Sequence, residues 1–365
     1  MEEEGLQVLK KLSDVFEESS LIEVDLSDNA MGSKGVTQCQ TVLGGKPSLH
    51  SLERLSLCNN GLSEYSMNEI ADLLTTNPNS GGDEICIAQN LTKIHFFNNM
   101  SGNEGCKAFQ RIMNKCTDKL TDIRFSSTRA RREGSSYIAQ VLSDLGTNNK
   151  LQNVTHLDLA DNSFVECSAN LSSALSNCVN LEYLNLKDCI LSNDGIKEVC
   201  DAILKAKSPL KGLHLSGNEI DADGAKYVAK LVKALNGTIE VLDVEENELT
   251  SVGLKRIIKQ INSTTLKTII LNENECGLIG ATALLEAAIK MPNLECVQLD
   301  RNNFSDEIVD QLVDTFGARL EEMEDNFGEE SEDEEESEEE VETEEVTDTS
   351  VDALTATMAK AEIKA

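Results

Sequence analysis

The sequence predicts an α/β solenoid in which one strand–turn–helix unit is repeated along most of the chain. The pattern L-x-x-L-x-L-x-x-N, clearest in Leu52–Asn60, recurs in ten copies. The copies begin 27 to 39 residues apart, and most intervals are 27 to 29. In seven copies a glycine follows the ninth position by six residues. Self-similarity at such a period is the sequence signature of a solenoid.

The pattern is that of a leucine-rich repeat, in which the apolar residues form a short strand and the turn after it. A period near 28 leaves room for a helix in each unit. The predicted fold class is therefore a leucine-rich-repeat solenoid, a ribonuclease-inhibitor-like horseshoe with parallel strands on the concave face and helices on the convex face. We expect the small glycines to let the chain turn closely into each helix.

Three regions are predicted along the chain. Residues 1–20 have apolar residues at helical spacing, which indicates an amphipathic helix or a partial repeat. Residues 21–317 hold the ten repeats, and an insertion in the second, at residues 76–89, predicts a surface loop. Residues 318–365 carry 18 acidic and no basic residues between Glu321 and Asp348, a composition typical of a disordered tail.

Composition narrows the functional classes. The net charge of −33 disfavours nucleic-acid binding. The sequence contains no apolar run long enough to span a membrane and no leader. We therefore expect a soluble protein in the cytoplasm, in the region around the nucleus. Eleven cysteines without a C-x-x-C pair indicate reduced thiols. His95, His156 and His214 fall on alternate strands, roughly 10 Å apart, too far to share a metal ion, so we predict no metal and no cofactor.

The ninth position of each copy is predicted to be structural. In a turn buried between stacked units, an asparagine amide can satisfy backbone groups that cost roughly 1 kcal/mol or more each when unpaired. Thr128 and Cys189 take this position in the fourth and sixth copies. The ladder of asparagines comprises Asn29, Asn60, Asn99, Asn162, Asn218, Asn247, Asn274 and Asn302.

The residue before the ladder is predicted to lie on an exposed rim, where Asn59 could reach a partner. Positive charge is concentrated in copies two to four, whereas copies eight to ten carry acidic residues at comparable positions. A partner with complementary patches would be steered into one orientation. Solvated loop residues and ordinary charge scatter are the alternatives. The candidate partner-binding residues are Asp28, Arg54, Lys93, Arg124, Arg129, Arg131 and Arg132.

Several short segments resemble, in their order, the GTPase-activating proteins of the small GTPase Ran. The resemblance covers roughly residues 6–350 and includes the acidic tail. It implies a crescent of leucine-rich repeats that activates GTP hydrolysis by Ran in nucleocytoplasmic transport. The segments are Leu26–Gly32, Asn59–Leu62, Leu159–Phe164, Leu186–Ser192 and Asn303–Asp306.

The resemblance also implies how hydrolysis is promoted. The activator holds Ran so that the GTPase's own glutamine orients the attacking water, and the family's asparagine for this contact corresponds to Asn59. The loop at Arg131 resembles a basic family position. GTP and magnesium would belong to the partner, so the protein would be an activator without a substrate site of its own. The expected partners are a GTP-bound Ran-like GTPase and a Ran-binding protein, and the protein itself is expected to be monomeric.

Two features depart from the family. The family has repeats before the equivalent of Leu21, with a loop arginine important for activity, and no residue here takes that role. The loop Asn98–Asn103 lacks the arginines of its family counterpart. The alternative function is a non-catalytic protein-binding scaffold of the ribonuclease-inhibitor-like class. Small acidic leucine-rich nuclear phosphoproteins also have acidic tails, but their repeats are shorter than this period.

Overall fold

The predicted solenoid is confirmed by a single sheet of ten short parallel strands. The computed structural model describes residues 2–76, 85–326 and 328. The strands follow one another in the sheet in chain order. They are β1 (Glu23–Asp25), β2 (Arg54–Ser56), β3 (Lys93–His95), β4 (Asp122–Arg124), β5 (His156–Asp158), β6 (Tyr183–Asn185), β7 (Gly212–His214), β8 (Val241–Asp243), β9 (Thr268–Ile270) and β10 (Cys296–Gln298).

Helices lie on the side of the sheet opposite to the exposed strand residues. One helix precedes the first strand, the first repeat has two short helices, and each later repeat has one. They are α1 (Glu2–Val15), α2 (Gly32–Gln38), α3 (Gln40–Gly44), α4 (Glu64–Thr75), α5 (Gly102–Lys115), α6 (Arg132–Thr147), α7 (Ser168–Leu175), α8 (Ser192–Ala206), α9 (Ala222–Leu235), α10 (Thr250–Ile258), α11 (Leu278–Ala287) and α12 (Asp306–Phe316). Short 3₁₀ turns occur at Ile87–Asn90, Ala288–Lys290 and Gly317–Arg319.

Two predicted regions fall largely outside this description. Residues 77–84, most of the insertion, are outside the described residues, as are residue 327 and residues 329–365, most of the acidic tail. Along the described part of the chain, no helix is long and apolar enough to cross a membrane.

The core is one continuous layer between strands and helices. In each strand the middle residue is buried and its neighbours face the other side, as in β2, where Leu55 is buried between Arg54 and Ser56. Aromatic rings fill the third and fourth repeats. Phe109 of α5 stacks on Phe125 with ring centroids 4.1 Å apart. Because each repeat buries its apolar residues only against its neighbours, the core grows by addition of units.

The glycines of the repeat serve helix packing, so the expectation that they serve a turn is wrong. They lie within the first turns of the helices, and none has a positive φ. A Cβ added at Gly253 would lie 3.1 Å from the Ala225 side chain of the preceding helix, and one at Gly134 would lie 2.9 Å from Cys106 Sγ. A small residue is therefore needed where consecutive helices approach each other closely.

The C-terminal end of the sheet is covered by residues beyond the predicted end of the last repeat at Gly317. Leu320 forms a parallel bridge with Val297, and Met323 packs against the core. The side-chain Oδ1 of Asn326 accepts a hydrogen bond from the backbone N–H of Asn302, at 3.0 Å. This segment is a degenerate eleventh copy. Its repeat pattern is hard to recognise because acidic residues surround Met323.

Ladder asparagines connect the turns of adjacent repeats. Nδ2 of Asn218 donates to the carbonyl oxygens of Leu186, Leu215 and Ser216 at 2.8 to 3.0 Å. Its Oδ1 accepts from the backbone N–H of Leu191 at 3.2 Å. In the sixth copy the Cys189 thiol points at the Leu159 carbonyl, with 3.3 Å between sulfur and oxygen, and so replaces one of these donors.

Replacing Asn218 by alanine is expected to lower the free energy of unfolding by about 3 kcal/mol, because it leaves several buried backbone groups without a hydrogen-bond partner. Urea denaturation followed by circular dichroism measures the loss. Asn29→Ala is the matched control: among the described residues its exposed side chain bonds only to carbonyls of its own repeat, so about 1 kcal/mol or less is expected. Equal losses at the two positions would contradict a role for buried inter-repeat bonds.

The thiols provide a second test of the fold. All eleven cysteines are unbridged and all except Cys296 are buried. Burial raises the pKa of Cys106, Cys116 and Cys178 to about 12, so these thiols are almost entirely protonated and unreactive at neutral pH. With Ellman's reagent at pH 7.5, we expect one fast-reacting thiol in the native protein and eleven in guanidinium chloride. Cys296→Ser should remove the fast phase; a fast phase that persists would contradict the burial.

Candidate protein-docking surface

The rim position before the ladder has one backbone conformation in all ten repeats. Its φ angle lies between +50° and +62°, in the left-handed region. Asparagine, aspartate and glycine tolerate this region best. The ten residues are Asp28, Asn59, Asn98, Ser127, Asp161, Asp188, Gly217, Glu246, Glu273 and Arg301.

Asn59 is exposed on this rim, and both ends of its amide are held by neighbours. Its Nδ2 donates to Asp28 Oδ1 at 2.8 Å, and its Oδ1 accepts from Asn98 Nδ2 at 3.0 Å. The carboxylate accepts only, so it determines which end of the amide faces Asp28. A primary amide has two donor hydrogens and two acceptor lone pairs. One N–H and one lone pair of Asn59 therefore remain for a partner.

Basic residues of the second and third repeats lie side by side on the exposed face of the sheet. Arg54 is in register with Glu23 on one side and Lys93 on the other. Its guanidinium lies 3.1 Å from the Glu23 carboxylate. Within the described residues Lys93 has no ion-pair partner, so its charge is available to a docked molecule.

Arg124 is engaged by a buried carboxylate. Its Nε lies 3.0 Å from Asp122 Oδ1, and His95 Nε2 lies 3.0 Å from the same oxygen. Burial by itself would raise the pKa of Asp122, but the close contact with His95 and the hydrogen bonds from Arg124 outweigh it and hold the pKa well below its usual value. Arg124 is thus fixed in direction by a neighbour that is ionised at neutral pH.

The three arginines after β4 differ in availability. Arg132 begins α6 and pairs with Glu166 at 2.7 Å. Arg131 precedes α6, and its backbone N–H donates to Asn103 Oδ1 at 2.9 Å. The side chains of Arg129 and Arg131 are exposed and make no ion pair within the part of the chain that is described. Of the six predicted basic residues, Lys93, Arg129 and Arg131 therefore carry uncompensated charge.

The later repeats present acidic groups, most of which are partly compensated. Glu245 lies 3.5 Å from Lys187, and Glu273 lies 2.6 Å from Arg301. Burial is the main reason that the pKa of Asp188 is raised. Lys187 acts in the opposite direction, and the nearby carboxylates of Asp161, Glu245 and Asp243 raise the pKa further. Glu246 is exposed on the rim. The charge asymmetry seen in the sequence is therefore a feature of the folded surface.

An aromatic cluster at the centre of the sheet was not anticipated. The Tyr183 ring lies 5.9 Å from the His156 ring and 5.1 Å from the His214 ring. Tyr183 leans over Gly212, where an added Cβ would lie 2.8 Å from the ring. His214 is in turn held by Asp243 at 3.0 Å. The sequence contains one sign of this cluster: Tyr183 and Gly212 take the same strand position in consecutive copies, so the glycine leaves room for the ring.

The histidines of the exposed face serve these networks. His95 and His214 each bind an aspartate of the next strand, and His156 stacks on Tyr183. Among the described residues there is no group of three side chains that could hold a metal ion.

Comparison with known proteins agrees with the geometry. The sequence matches the family described as "Leucine Rich repeat" at residues 19–37, 177–200 and 206–229. A chain in the crystal structure of the yeast Rad7 and Elc1 complex superposes with a TM-score of 0.50 and 14% identity, covering 83% of this chain and 75% of that one. The chain is a leucine-rich-repeat solenoid.

Two curated relatives contain stretches similar to this leucine-rich-repeat chain. Protein NLRC5 of Mus musculus is 26% identical over 209 residues, which are 57% of this chain and 10% of the relative. NACHT, LRR and PYD domains-containing protein 3 of Rattus norvegicus is 27% identical over 202 residues, which are 55% of this chain and 18% of the relative. The matched region thus spans less than a fifth of either relative.

The Asp122 network leads to a pH-dependent prediction. Because the pKa of Asp122 is lower in the folded protein than in the unfolded chain, its contribution to stability is present above about pH 4 and is lost as the pH falls through the folded pKa. Asp122→Asn is expected to lower the free energy of unfolding by about 2 kcal/mol at pH 7, measured in urea. The difference from wild type should shrink below pH 4. Asp118→Asn, on an exposed loop, is the control; a pH-independent difference at Asp122 would contradict the network.

Proposed function

We propose that this protein activates GTP hydrolysis by a Ran-like small GTPase, in nucleocytoplasmic transport, by holding the GTPase's own glutamine in a productive position. The observation that carries the proposal is the state of Asn59. Its amide is exposed, its orientation is determined by Asp28 and Asn98, and one donor and one acceptor remain free. The family resemblance of the segment Asn59–Leu62 supports the same role.

In this mechanism the activator has only to position a side chain of the GTPase. Hydrolysis needs a water molecule aligned with the γ-phosphate, and a glutamine of the GTPase can orient it. A glutamine side chain is flexible, so a rigid amide that pairs with it reduces the number of unproductive conformations. Asn59 is suited to this because its own rotamer is held by two hydrogen bonds before any partner arrives.

The charges around Asn59 favour one docking orientation. Lys93, Arg129 and Arg131 would meet carboxylates of the GTPase, and the acidic rim around Glu246 would meet its basic side chains. Exposed charges of this kind contribute more to the rate and orientation of association than to affinity. GTP and magnesium would come with the partner, and the protein would act as an activator in the cytoplasm close to the nuclear envelope.

The rival function is a protein-binding scaffold that promotes no hydrolysis. Leucine-rich-repeat proteins bind protein partners, and the Tyr183 cluster at the centre of the sheet favours such a role, because tyrosine and arginine dominate binding hot spots. Under this alternative Asn59 would contribute to binding without accelerating any reaction.

The decisive experiment is single-turnover GTP hydrolysis by Ran with increasing concentrations of the protein. Asn59→Ala is expected to reduce the saturating rate by about tenfold to a hundredfold, because a positioning group is lost, and to change half-saturation little. Glu246→Ala is the matched control: it changes the same left-handed rim position in the eighth repeat, with the same backbone cost, and should leave the saturating rate unchanged.

No acceleration by the wild-type protein would refute the activator function and leave the scaffold. If Asn59→Ala weakens half-saturation but leaves the saturating rate intact, the residue binds the partner without positioning its glutamine.

A further inference from the structure

An exposed aromatic side chain lies next to Asn59 in the interior of the array. Phe97 lies two residues before its ladder asparagine, on the face of the sheet opposite to the core that Phe96 enters, and is 37% exposed. In the other nine copies this position holds cysteine, alanine or a polar or charged residue. Because β3 is paired with β2 on one side and with β4 on the other, this exposure is a property of the assembled sheet.

The ring of Phe97 projects above its neighbours. Cys58 and Ser126 take the equivalent position in the preceding and the following repeat, and both are almost completely buried. Backbone hydrogen bonds hold the three turns together. The Phe97 carbonyl accepts from the N–H of Asn59 at 3.0 Å, and the N–H of Asn98 donates to the Ser126 carbonyl at 2.9 Å. A large ring between two small side chains is thus held on a rigid backbone, with its outer side accessible to a docked protein.

A second apolar side chain is exposed just after the same ladder asparagine. Met100 is 51% exposed, and its Cε lies 3.7 Å from the position that a Cβ on Gly61 would take. Its methyl end therefore reaches back over the turn that follows Asn59. In the chain, Phe97 and Met100 stand on either side of Asn98, whose Nδ2 donates to Asn59 Oδ1. The paired amides of the rim are thus bordered by an aromatic ring before them and a thioether after them.

The chemistry of this surface specifies what can cover it. Asn59 offers one N–H and one lone pair, and a primary amide complements both. Apolar side chains next to that amide would cover Phe97 and Met100, and the exclusion of water would strengthen the hydrogen bonds between them. Aromatic residues and methionine are enriched at protein interfaces for this reason.

Charge at the border of the surface adds a further condition. Arg129 takes the position of Met100 in the following repeat, is exposed and makes no ion pair within the described residues. An acidic side chain of the occupant would complement it. The complementary occupant is therefore a protein segment that has a primary amide, apolar side chains on both sides of the amide, and an acidic residue.

We propose that Phe97 and Met100 are the binding anchors for the glutamine-bearing segment of the GTPase, and that this segment carries apolar side chains next to the glutamine. The inference rests on the proposed activation of a Ran-like GTPase, because the amide that meets Asn59 is that glutamine. It assigns much of the affinity to the two apolar side chains and leaves Asn59 to position the glutamine. The two contributions are therefore separable by measurement.

Single-turnover GTP hydrolysis by Ran, measured against the concentration of the full chain, separates affinity from rate. Phe97→Ala is expected to raise the half-saturating concentration about tenfold to thirtyfold, because a contact at the centre of the interface is lost. The saturating rate should stay within about twofold of wild type, because the positioning amide remains. Phe97→Leu keeps most of the apolar volume and should recover most of the affinity.

A matched pair of variants tests the second anchor. Met100→Ala should raise the half-saturating concentration about threefold to fivefold, since a flexible side chain contributes less than a ring. Ile190→Ala is the control. Ile190 takes the same rim position in the sixth repeat and is 42% exposed, but the residue at the position of Phe97 in that repeat is Lys187. Its replacement should change neither the half-saturating concentration nor the rate. Circular dichroism and urea denaturation establish that each variant is folded.

Binding to Ran loaded with a non-hydrolysable GTP analogue, measured by titration calorimetry, distinguishes failure of this inference from failure of the activator function. If the wild type binds without accelerating hydrolysis and Phe97→Ala weakens the binding, activation is refuted and the anchor is retained. If the wild type accelerates hydrolysis and neither Phe97→Ala nor Met100→Ala changes half-saturation or affinity, the anchor is overturned and activation is retained. A lower saturating rate with unchanged half-saturation would also overturn the anchor, and absence of binding by the wild type would overturn both.

Discussion

Every other feature of this protein depends on the hydrogen bonds that join the turns of consecutive repeats. The strands have only three residues each, so the sheet alone provides few bonds per repeat. The ladder asparagines extend this pairing into the turns, where Asn218 binds carbonyls of both its own repeat and the preceding one. A buried backbone group without such a partner would lower the stability of the fold. The turn therefore adopts the one conformation in which these groups are paired.

The same constraint explains how a surface residue can be rigid. Because the ladder amide fixes the turn, the residue before it is held in the left-handed region in all ten repeats. At that position the side chains of successive repeats are neighbours, which allows Asp28, Asn59 and Asn98 to form a chain of hydrogen bonds along the rim. Ordering Asn59 in the free protein reduces the entropy cost of a later contact. The fold thus prepares a positioning group on a surface that would otherwise be mobile.

Stacking also decides how the sheet is covered beyond β10. Each unit leaves one edge open for the next, so an array is complete only where something covers the final edge. The degenerate eleventh copy, with Asn326 as its ladder residue, does this at the C-terminal end.

The sequence by itself determined the repeat, its register and the identity of the ladder, because the apolar spacing is a local pattern that recurs in ten copies and the ninth-position asparagine recurs in eight of them. It also indicated the charge asymmetry and the exposed position of Asn59. Only the tertiary structure decided which charges are available: Arg124 is held by Asp122 and Arg132 by Glu166, whereas Arg129 and Arg131 are unpaired within the described chain. It likewise brought Tyr183 beside His156 and His214. Asp122 lies two residues from Arg124 in the same strand, but the other partners lie some 27 to 34 residues apart in the chain, in different repeats. They meet because stacking places equivalent positions of different repeats side by side. Which of these side chains then pair depends on the distances between them, and a local sequence pattern does not give those distances.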